Sequence, residues 1–560
     1  MKKVLPFILF ILSLFITDFL YARDPLLNIL EKELEREFSE LKNQEIPVYY
    51  MNYRVSDMES VVISGTHGCL NQKQQRNYRV LTTSVRVGTP DMDNFHSARG
   101  TGGVYALAGT SELPLDDQYE GTVQLLWQST HNAYQYAVQR LGLIKGRNAM
   151  NVEAEDKSPD FTAEKPVEYE EPRKKNVIGK EMEELLTSRV KKFSAPFYNN
   201  VYITESSVNY TIQSVRKYFV STEGTKIAEN RNSIELTIQC RGIASDGMDL
   251  PLYRSYFAGD LKDLPSDEIL MAEVRSMVEQ IIALRKAPVV EAYTGPALLS
   301  GSAAGVFFHE IFGHRVEASR MKTVDDAQTF KKKVNDQVLH SGLSVIFDPT
   351  IQEHKGFELN GSYKYDDEGI KSQRVVVVEN GILKDFLTCR TPIEGFLSSN
   401  GHGRASEGLN PVSRQSNLIV ESGNLLSEKE LRARFVSELK KQDLEFGYYF
   451  KEVIGGFTMT GRNTPNAFNV TPNEVYRIYA DGRPDELVRG LNLVGTPLAM
   501  FSEIEAVGGD YGIFNGYCGA ESGRVPVSSV CPMMYVRKIE IQKRPIPVGN
   551  TPPIDMPDDK

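Results

Sequence analysis

The chain has 560 residues, of which 41% are hydrophobic and 25% charged. That supplies sizeable cores for two or three domains and excludes disorder throughout. The formal net charge of -10, with no long Lys/Arg run, gives no basic footprint and argues against a DNA or RNA partner.

The first 22 residues read as an export signal. Lys2 and Lys3 precede an apolar run from Val4 to Ile16, and Leu20-Tyr21-Ala22 ends on a small residue suited to cleavage. The run is too short for a comfortable membrane span, so the expectation is cleavage near Ala22 and a periplasmic or extracellular protein, with an uncleaved N-terminal anchor as the alternative. No later segment reads as membrane-spanning. All five cysteines, Cys69, Cys240, Cys389, Cys518 and Cys531, follow the signal, and their odd number leaves at least one thiol outside intramolecular pairing.

Leu27, Leu30, Leu34, Phe38 and Leu41 recur at helical spacing and predict an amphipathic helix. Residues 48–90 are β-rich, and 117–142 read as a helix carrying Leu125, Leu126, Ala133, Ala137 and Leu141. Residues 151–195 begin with a charged stretch containing Pro159, Pro166 and Pro172, without apolar periodicity, and predict an exposed insertion or linker. Strand-like segments at 207–214 and 233–240 lead to a helix that Ser266 is placed to cap, ending near Arg285. Further on the pattern turns mainly β. Asn380-Gly381 and Asp481-Gly482 each sit between apolar runs as hairpin signals, "PMMYVRKIEIQ" supplies a last strand, and a Pro-rich tail predicted to be disordered closes the chain. The fold class expected is α+β. Residues 23–150 and 196–290 form a mixed N-terminal α/β domain interrupted at 151–195, 291–543 form a β-rich domain carrying a metal-binding helix, and 544–560 are the tail.

The chemistry concentrates in "FFHEIFGHRVEA", residues 307–318. His309 and His314 are five apart, and on a regular helix that step turns the second side chain roughly 140° from the first, against about 40° for a four-residue step. Convergence therefore needs a distortion. Either a π-bulge lies in the helix, or the chain leaves the helix at Gly313 and His314 swings back. Two imidazoles do not complete a catalytic zinc site, which usually has three protein ligands. Cys518, between Gly516 and Gly519, would make a His2Cys set, although a disulfide to Cys531 or simple burial are the competing fates.

Four stretches carry a resemblance: "FFHEIFGHRVEA", "YDDEGIKSQRVVVVENGILKDFL", "NGHGRAS" and "NGYCGAESGRVPVSSVCPMMYVRKIEI". In this order they resemble the TldD/PmbA family of metallopeptidases, best over about 290–542, and "YRVLTTSVRVGTPDMDNFHS" is similar to the family's N-terminal domain. The resemblance implies a Zn2+ peptidase with His309, His314 and Cys518 as metal ligands and Glu310 as catalytic carboxylate. It also implies peptides or unfolded proteins as substrates, bound partly by strand addition, and a dimer, either with itself or with a PmbA-like subunit. Companion subunits in the family lack the ligands, so their retention points to the active, TldD-like type. The export signal and the extra sequence near 24–48 and 151–195 depart from the family's familiar cytoplasmic members.

Zinc with two neutral imidazoles and one thiolate would keep a local charge near +1, with Glu310 placed to accept a proton from water and pass it to the leaving amine. Glu317, three residues after His314, is a candidate to orient that imidazole, or else a partner for Arg315 or Arg320. His402 and Arg404 are candidates to hold substrate or the developing oxyanion, or to stabilise their Gly-rich loop. Asp366 and Asp367 read as a turn rather than a catalytic pair. The competing function is a catalytically silent peptide-binding or partner subunit on the same scaffold.

Overall fold

The computed structural model describes residues 23–97, 106–148, 156–174, 179–198, 200–322, 326, 328–461, 467–496 and 500–545. The predicted export signal and nearly all of the Pro-rich tail lie outside these residues. Among the described residues no helix is long and apolar enough to cross a membrane.

In the N-terminal region the long strands Val48–Thr66 and Cys69–Thr89 form an antiparallel hairpin. His67 and Gly68 turn it with φ of 48° and 79°, the left-handed pair that a two-residue hairpin loop requires. Strand Ile203–Ser221 adds to the first of these strands and Lys226–Ile243 adds to Ile203–Ser221, both antiparallel. The sequence thus leaves the sheet and returns to it, and the two halves predicted on either side of 151–195 share one sheet of eight strands among the described residues.

Alternation along these strands gives the sheet two unlike faces. Tyr53, Val55, Val61 and Ile63, with Val208, Tyr210, Ile212, Ile234, Leu236 and Ile238, are buried on one face. Helices Pro25–Leu41 and Tyr119–Asn148 cover one end of it through Leu26, Leu30, Leu34, Leu126, Ala133, Ala137 and Leu141. Helices Lys180–Ser194 and Asp267–Lys286 cover the other end through Leu186, Val190, Phe193, Leu270, Val274 and Met277. Ser266 occupies the N-cap position of the last helix but makes no side-chain cap bond. The opposite face is polar and carries Arg54, Lys217 and Arg231, which reach across to Ser406, Asp367 and Asn360 of the C-terminal region.

The stretch 151–195 is not simply an exposed connection. Glu168–Glu170 is a parallel edge strand of the sheet, and helix Lys180–Ser194 buries Leu186, Val190 and Phe193 in the core. Pro159 and Asp160 are held by Lys322, while Thr162 meets Arg390, so the charged stretch straps the two regions together through polar contacts that have no sequence periodicity.

The C-terminal region is built on a sheet of twelve strands among the described residues. Strand Tyr293–Leu299 runs antiparallel to Gly523–Lys543 and parallel to Phe446–Thr458, and pairing through Phe468–Tyr479 and Leu491–Gly495 closes these strands on themselves. Asn380 and Gly381, with φ of 49° and 85°, turn the hairpin between Val375–Glu379 and Ile382–Leu383 as their sequence predicts. Asp481 and Gly482 instead open a longer connection between Phe468–Tyr479 and Glu486–Val488.

If helix Lys180–Ser194 is part of the core, Phe193→Ala should lower stability in chemical denaturation by about 3–5 kcal/mol, the range for deleting a buried aromatic ring. Leu185→Ala, at an exposed position of the same helix, should stay within about 0.5 kcal/mol of the parent.

Candidate metal centre

Helix Gly301–Ile311 is apolar on nearly every side, and ten of its residues are buried, as expected of a helix enclosed by other elements. It packs on strands Gly523–Lys543, Phe446–Thr458 and Ile504–Ala520. Ser300 caps its start by accepting from Ala303 N at 3.2 Å. Phe307 and Phe308 lock the axial position against Phe468 and Phe501, with ring centroids 5.7 Å apart in each pair.

The helix stops at Ile311 and the chain enters a 3-10 turn at Gly313–Arg315. Of the two routes to convergence, the structure takes the break at Gly313, and no π-turn occurs there. A Cβ at Gly313 would lie 1.9 Å from Gln415 Oε1, so the turn can press against that side chain only because residue 313 has none. Arg315 donates to Glu310 O at 2.8 Å and Ile311 O at 3.3 Å, which satisfies carbonyls left open at the helix end.

This break brings the imidazoles of His309 and His314 together, with centroids 5.0 Å apart and planes at 79°. Cys518 Sγ lies 3.3 Å from His314 Nε2, and one possible ligand atom from each of the three residues falls within 4.8 Å of the others. All three side chains are buried. His309 Nδ1 is a buried polar atom with no hydrogen-bond partner, a condition that a metal ion would relieve. Burial alone would raise the Cys518 thiol, but His314, His309 and Arg414 hold it well below its usual value. Burial likewise opposes charge on His314, yet Cys518 and Glu317 lift it to about 10, so the three side chains by themselves favour a thiolate beside an imidazolium. A soft thiolate with two imidazoles is a donor set that fits zinc. All five cysteines are free, and on the hairpin Cys518 faces Val525 whereas Cys531 faces Gly512, so the Cys518–Cys531 bridge is not formed.

Glu310 lies beside the two histidines in a cleft of about 390 Å³, whose walls include Arg320, Ile454–Thr458, Tyr517 and Cys518–Glu521. Burial pushes its carboxyl above the usual carboxylate range although both imidazoles and Arg315 oppose the shift. Gly456 gives it room, since a Cβ there would come within 2.8 Å of Glu310 Cγ.

Glu317 has no exposure. His314 Nδ1 donates to its Oε2 at 3.1 Å, Arg320 Nε donates to the same oxygen at 2.8 Å, and Gln415 N donates to Oε1 at 3.3 Å. Burial works against its charge, but His314 and Arg320 override this and keep it below the usual carboxylate range. The bond to Nδ1 leaves Nε2 of His314 directed toward Cys518. The sequence reading missed Arg414 and Gln415. Arg414 is fully buried, donates to Cys518 O at 2.7 Å and Ser522 Oγ at 2.7 Å, and lies 3.6 Å from Glu317. Gln415 Nε2 donates to His309 O at 3.2 Å. The segment "SRQSN" has neither motif nor periodicity to announce either role. Arg320 also holds Glu521 at 2.8 Å and Thr460 at 2.9 Å, tying the floor of the cleft to both walls.

His402 and Arg404 are not among the residues lining this cleft. His402 contacts Asn400 Oδ1 through Nδ1 and Ser416 Oγ through Nε2, each at 3.0 Å, and burial with Arg404 nearby pushes it down to about 3. Its contacts are those of a neutral, loop-stabilising residue. Arg404 opens instead on the cleft between the two regions. Asp366 closes a turn by accepting from Glu368 N and Ile370 N, both at 2.9 Å, and Asp367 pairs with Lys217 at 2.9 Å.

Gly313→Ala should lower stability by about 1–3 kcal/mol, the usual range for overpacking, as measured by denaturant unfolding, because Gln415 or the turn must move.

Residues 292–543 match the family described as PmbA/TldA metallopeptidase C-terminal domain. Over 342 residues the chain is 28% identical to a metalloprotease of Methanothermobacter thermautotrophicus, covering 60% of this chain and 69% of that one. It is 26% identical over 345 residues to a Saccharolobus solfataricus protein named zinc metalloprotease TldD homolog, covering 60% and 71%. The fold is similar to the crystal structure of TldE from Thermococcus kodakarensis, with a TM-score of 0.59 and 14% identity over 93% of this chain and 100% of that one. With this match spanning the region that supplies both histidines, Glu310 and Cys518, residues 292–543 belong to the TldD/PmbA family.

Proposed function

We propose that the protein is an exported zinc-dependent peptidase that hydrolyses peptide bonds in extended peptides or unfolded segments. The observation that carries this reading is the convergence of His309, His314 and Cys518 beside the buried carboxyl of Glu310 in an open cleft. The zinc in the name of the Saccharolobus relative supports the choice of metal. The N-terminal signal pattern supports export, and the family resemblance supports pairing with a second copy or with a PmbA-like subunit.

Zinc bound by these three side chains would act as a Lewis acid that polarises the scissile carbonyl and acidifies water. The protein supplies the proton path. Glu310, with its proton affinity raised by burial, takes a proton from the attacking water at its carboxylate and delivers it to the departing amine nitrogen. Glu317 keeps the Nδ1 proton of His314 in place, which presents the lone pair of Nε2 to the site.

An extended substrate suits the walls. Residues Gly455–Thr458 pair with Phe468–Thr471 on one side, and Gly516–Ala520 pair with Gly523–Val527 on one side. Their pairings to Tyr293–Leu299 and to Leu425–Leu426 involve other residues. Each wall thus has a backbone edge to which a peptide strand can add, with recognition through the main chain.

Glu310→Gln should reduce peptide hydrolysis by about 10²–10⁴-fold, the span of general acid–base effects, with zinc content unchanged by elemental analysis. A fully active variant would favour the silent binding subunit. Glu317→Gln should weaken zinc affinity by about 10–100-fold in a competition titration with a chelator, the usual effect of removing a ligand-orienting carboxylate.

A further inference from the structure

The polar face of the N-terminal sheet and the C-terminal region enclose a second cleft in two adjoining parts, of about 370 and 410 Å³. Both parts are lined by Arg231 and Arg404. Arg231 Nη2 donates to Asn360 O at 2.6 Å, which orients the guanidinium, and its Nε and Nη1 have no hydrogen-bond partner among the described residues. Arg404 is 4% exposed, lies 4.7 Å from the Tyr363 ring centroid, and donates through Nη1 to Gln415 O at 2.5 Å. Neither forms an ion pair with a carboxylate among the described residues.

The half-buried Arg231 and the buried Arg404 are thus held by carbonyl acceptors rather than by paired carboxylates, a weaker compensation for a guanidinium than an ion pair. Burial and the neighbouring Arg404 push Arg231 down to about 10. The acids of the walls, Glu229 and Asp367 foremost, relieve this only from a distance and without direct pairing. Asp367 is paired with Lys217, and Asp366 accepts backbone N–H groups. Glu229, Glu235, Glu358 and Glu407 complete the acidic lining without pairing to either arginine, and burial pushes Glu229 up to about 7. Acids this close would repel a polyanion, so a ligand group with a single negative charge is the one the free donors of the guanidiniums suit. Paired planar forks match a carboxylate.

The cleft also adjoins the metal centre. Tyr517 lines both, under the guanidinium of Arg524 at 4.9 Å, and Asn360 Nδ2 donates to Gly516 O at 3.1 Å, two residues from Cys518. Resting on the peptidase reading, we propose that Arg231 and Arg404 receive a carboxylate of the bound peptide, so that the protein selects substrates with a negative group set away from the scissile bond. The carboxylate is either the free C-terminus or an Asp/Glu side chain.

Fluorescence anisotropy on the zinc-loaded full chain carrying Glu310→Gln tests this with a neutral peptide in three forms: free C-terminus, C-terminal amide, and amide with one internal Glu. At least one carboxylate form should bind about tenfold more tightly than the neutral amide, the scale of a charge-assisted bidentate contact. Whichever form gains identifies the source. Arg231→Gln should erase the gain while leaving affinity for the neutral amide, Arg231→Lys should keep part of it, and Arg404→Gln should repeat the loss. Equal affinity for all three forms, or a preference unchanged by both Gln variants, would overturn the subsite and leave the peptidase reading intact. No binding by any form would overturn both.

Discussion

The candidate site hangs on a single buried carboxylate. Glu317 has no exposure and stands between His314, Arg320, Gln415 and Arg414, and those partners belong to stretches of chain about a hundred residues apart. Such an arrangement is stable only when every partner is present, because removing one leaves a charge uncompensated in a low-dielectric interior. Arg414 extends the network to the carbonyl of Cys518 and Arg320 extends it to Glu521. The two histidines and the cysteine are thereby fixed relative to one another before any ion is considered, which is the preorganisation a precise metal site needs.

A second constraint is steric. The helix bearing His309 is enclosed by strands, and Gly313 lets the chain break out of it directly against Gln415. Gln415 then serves both sides of the break, donating through Nε2 to His309 O and through its backbone N–H to Glu317. The five-residue spacing that breaks regular helical geometry is thus resolved by one missing side chain and one well-placed amide.

Local signals in the sequence translated well into local structure. Leu27, Leu30 and Leu34 lie buried on the first helix, and Asn380-Gly381 makes its hairpin, because periodicity and turn chemistry act over a few residues. The histidine motif was legible as chemistry, although its geometry depended on Gln415, which nothing nearby in sequence points to. Arg320 was legible as a neighbour of Glu317 three residues away, whereas Arg414 and the acidic lining of the second cleft were illegible for the same reason as Gln415: their meaning comes from partners brought in by the tertiary fold. The stretch 151–195 misled because its charged start concealed a helix whose buried residues, Leu186, Val190 and Phe193, appear only at its far end. The two faces of the N-terminal sheet are written in the alternation of strand Lys226–Ile243, but that its polar face looks into a cleft is a property of the assembled molecule.

The N-terminal region therefore does more than support the C-terminal one. Its polar sheet face forms one wall of the space beside the candidate metal centre, and Arg231 couples it through Asn360 to the strand that carries Cys518. The central claim, that two imidazoles and one thiolate share an ion, is tested most directly by zinc K-edge X-ray absorption on the metal-loaded protein. The account predicts one sulfur at about 2.3 Å and two nitrogens at about 2.0–2.1 Å, the distances normal for zinc. A shell without sulfur, or protein that takes up no zinc under reducing conditions, would contradict it.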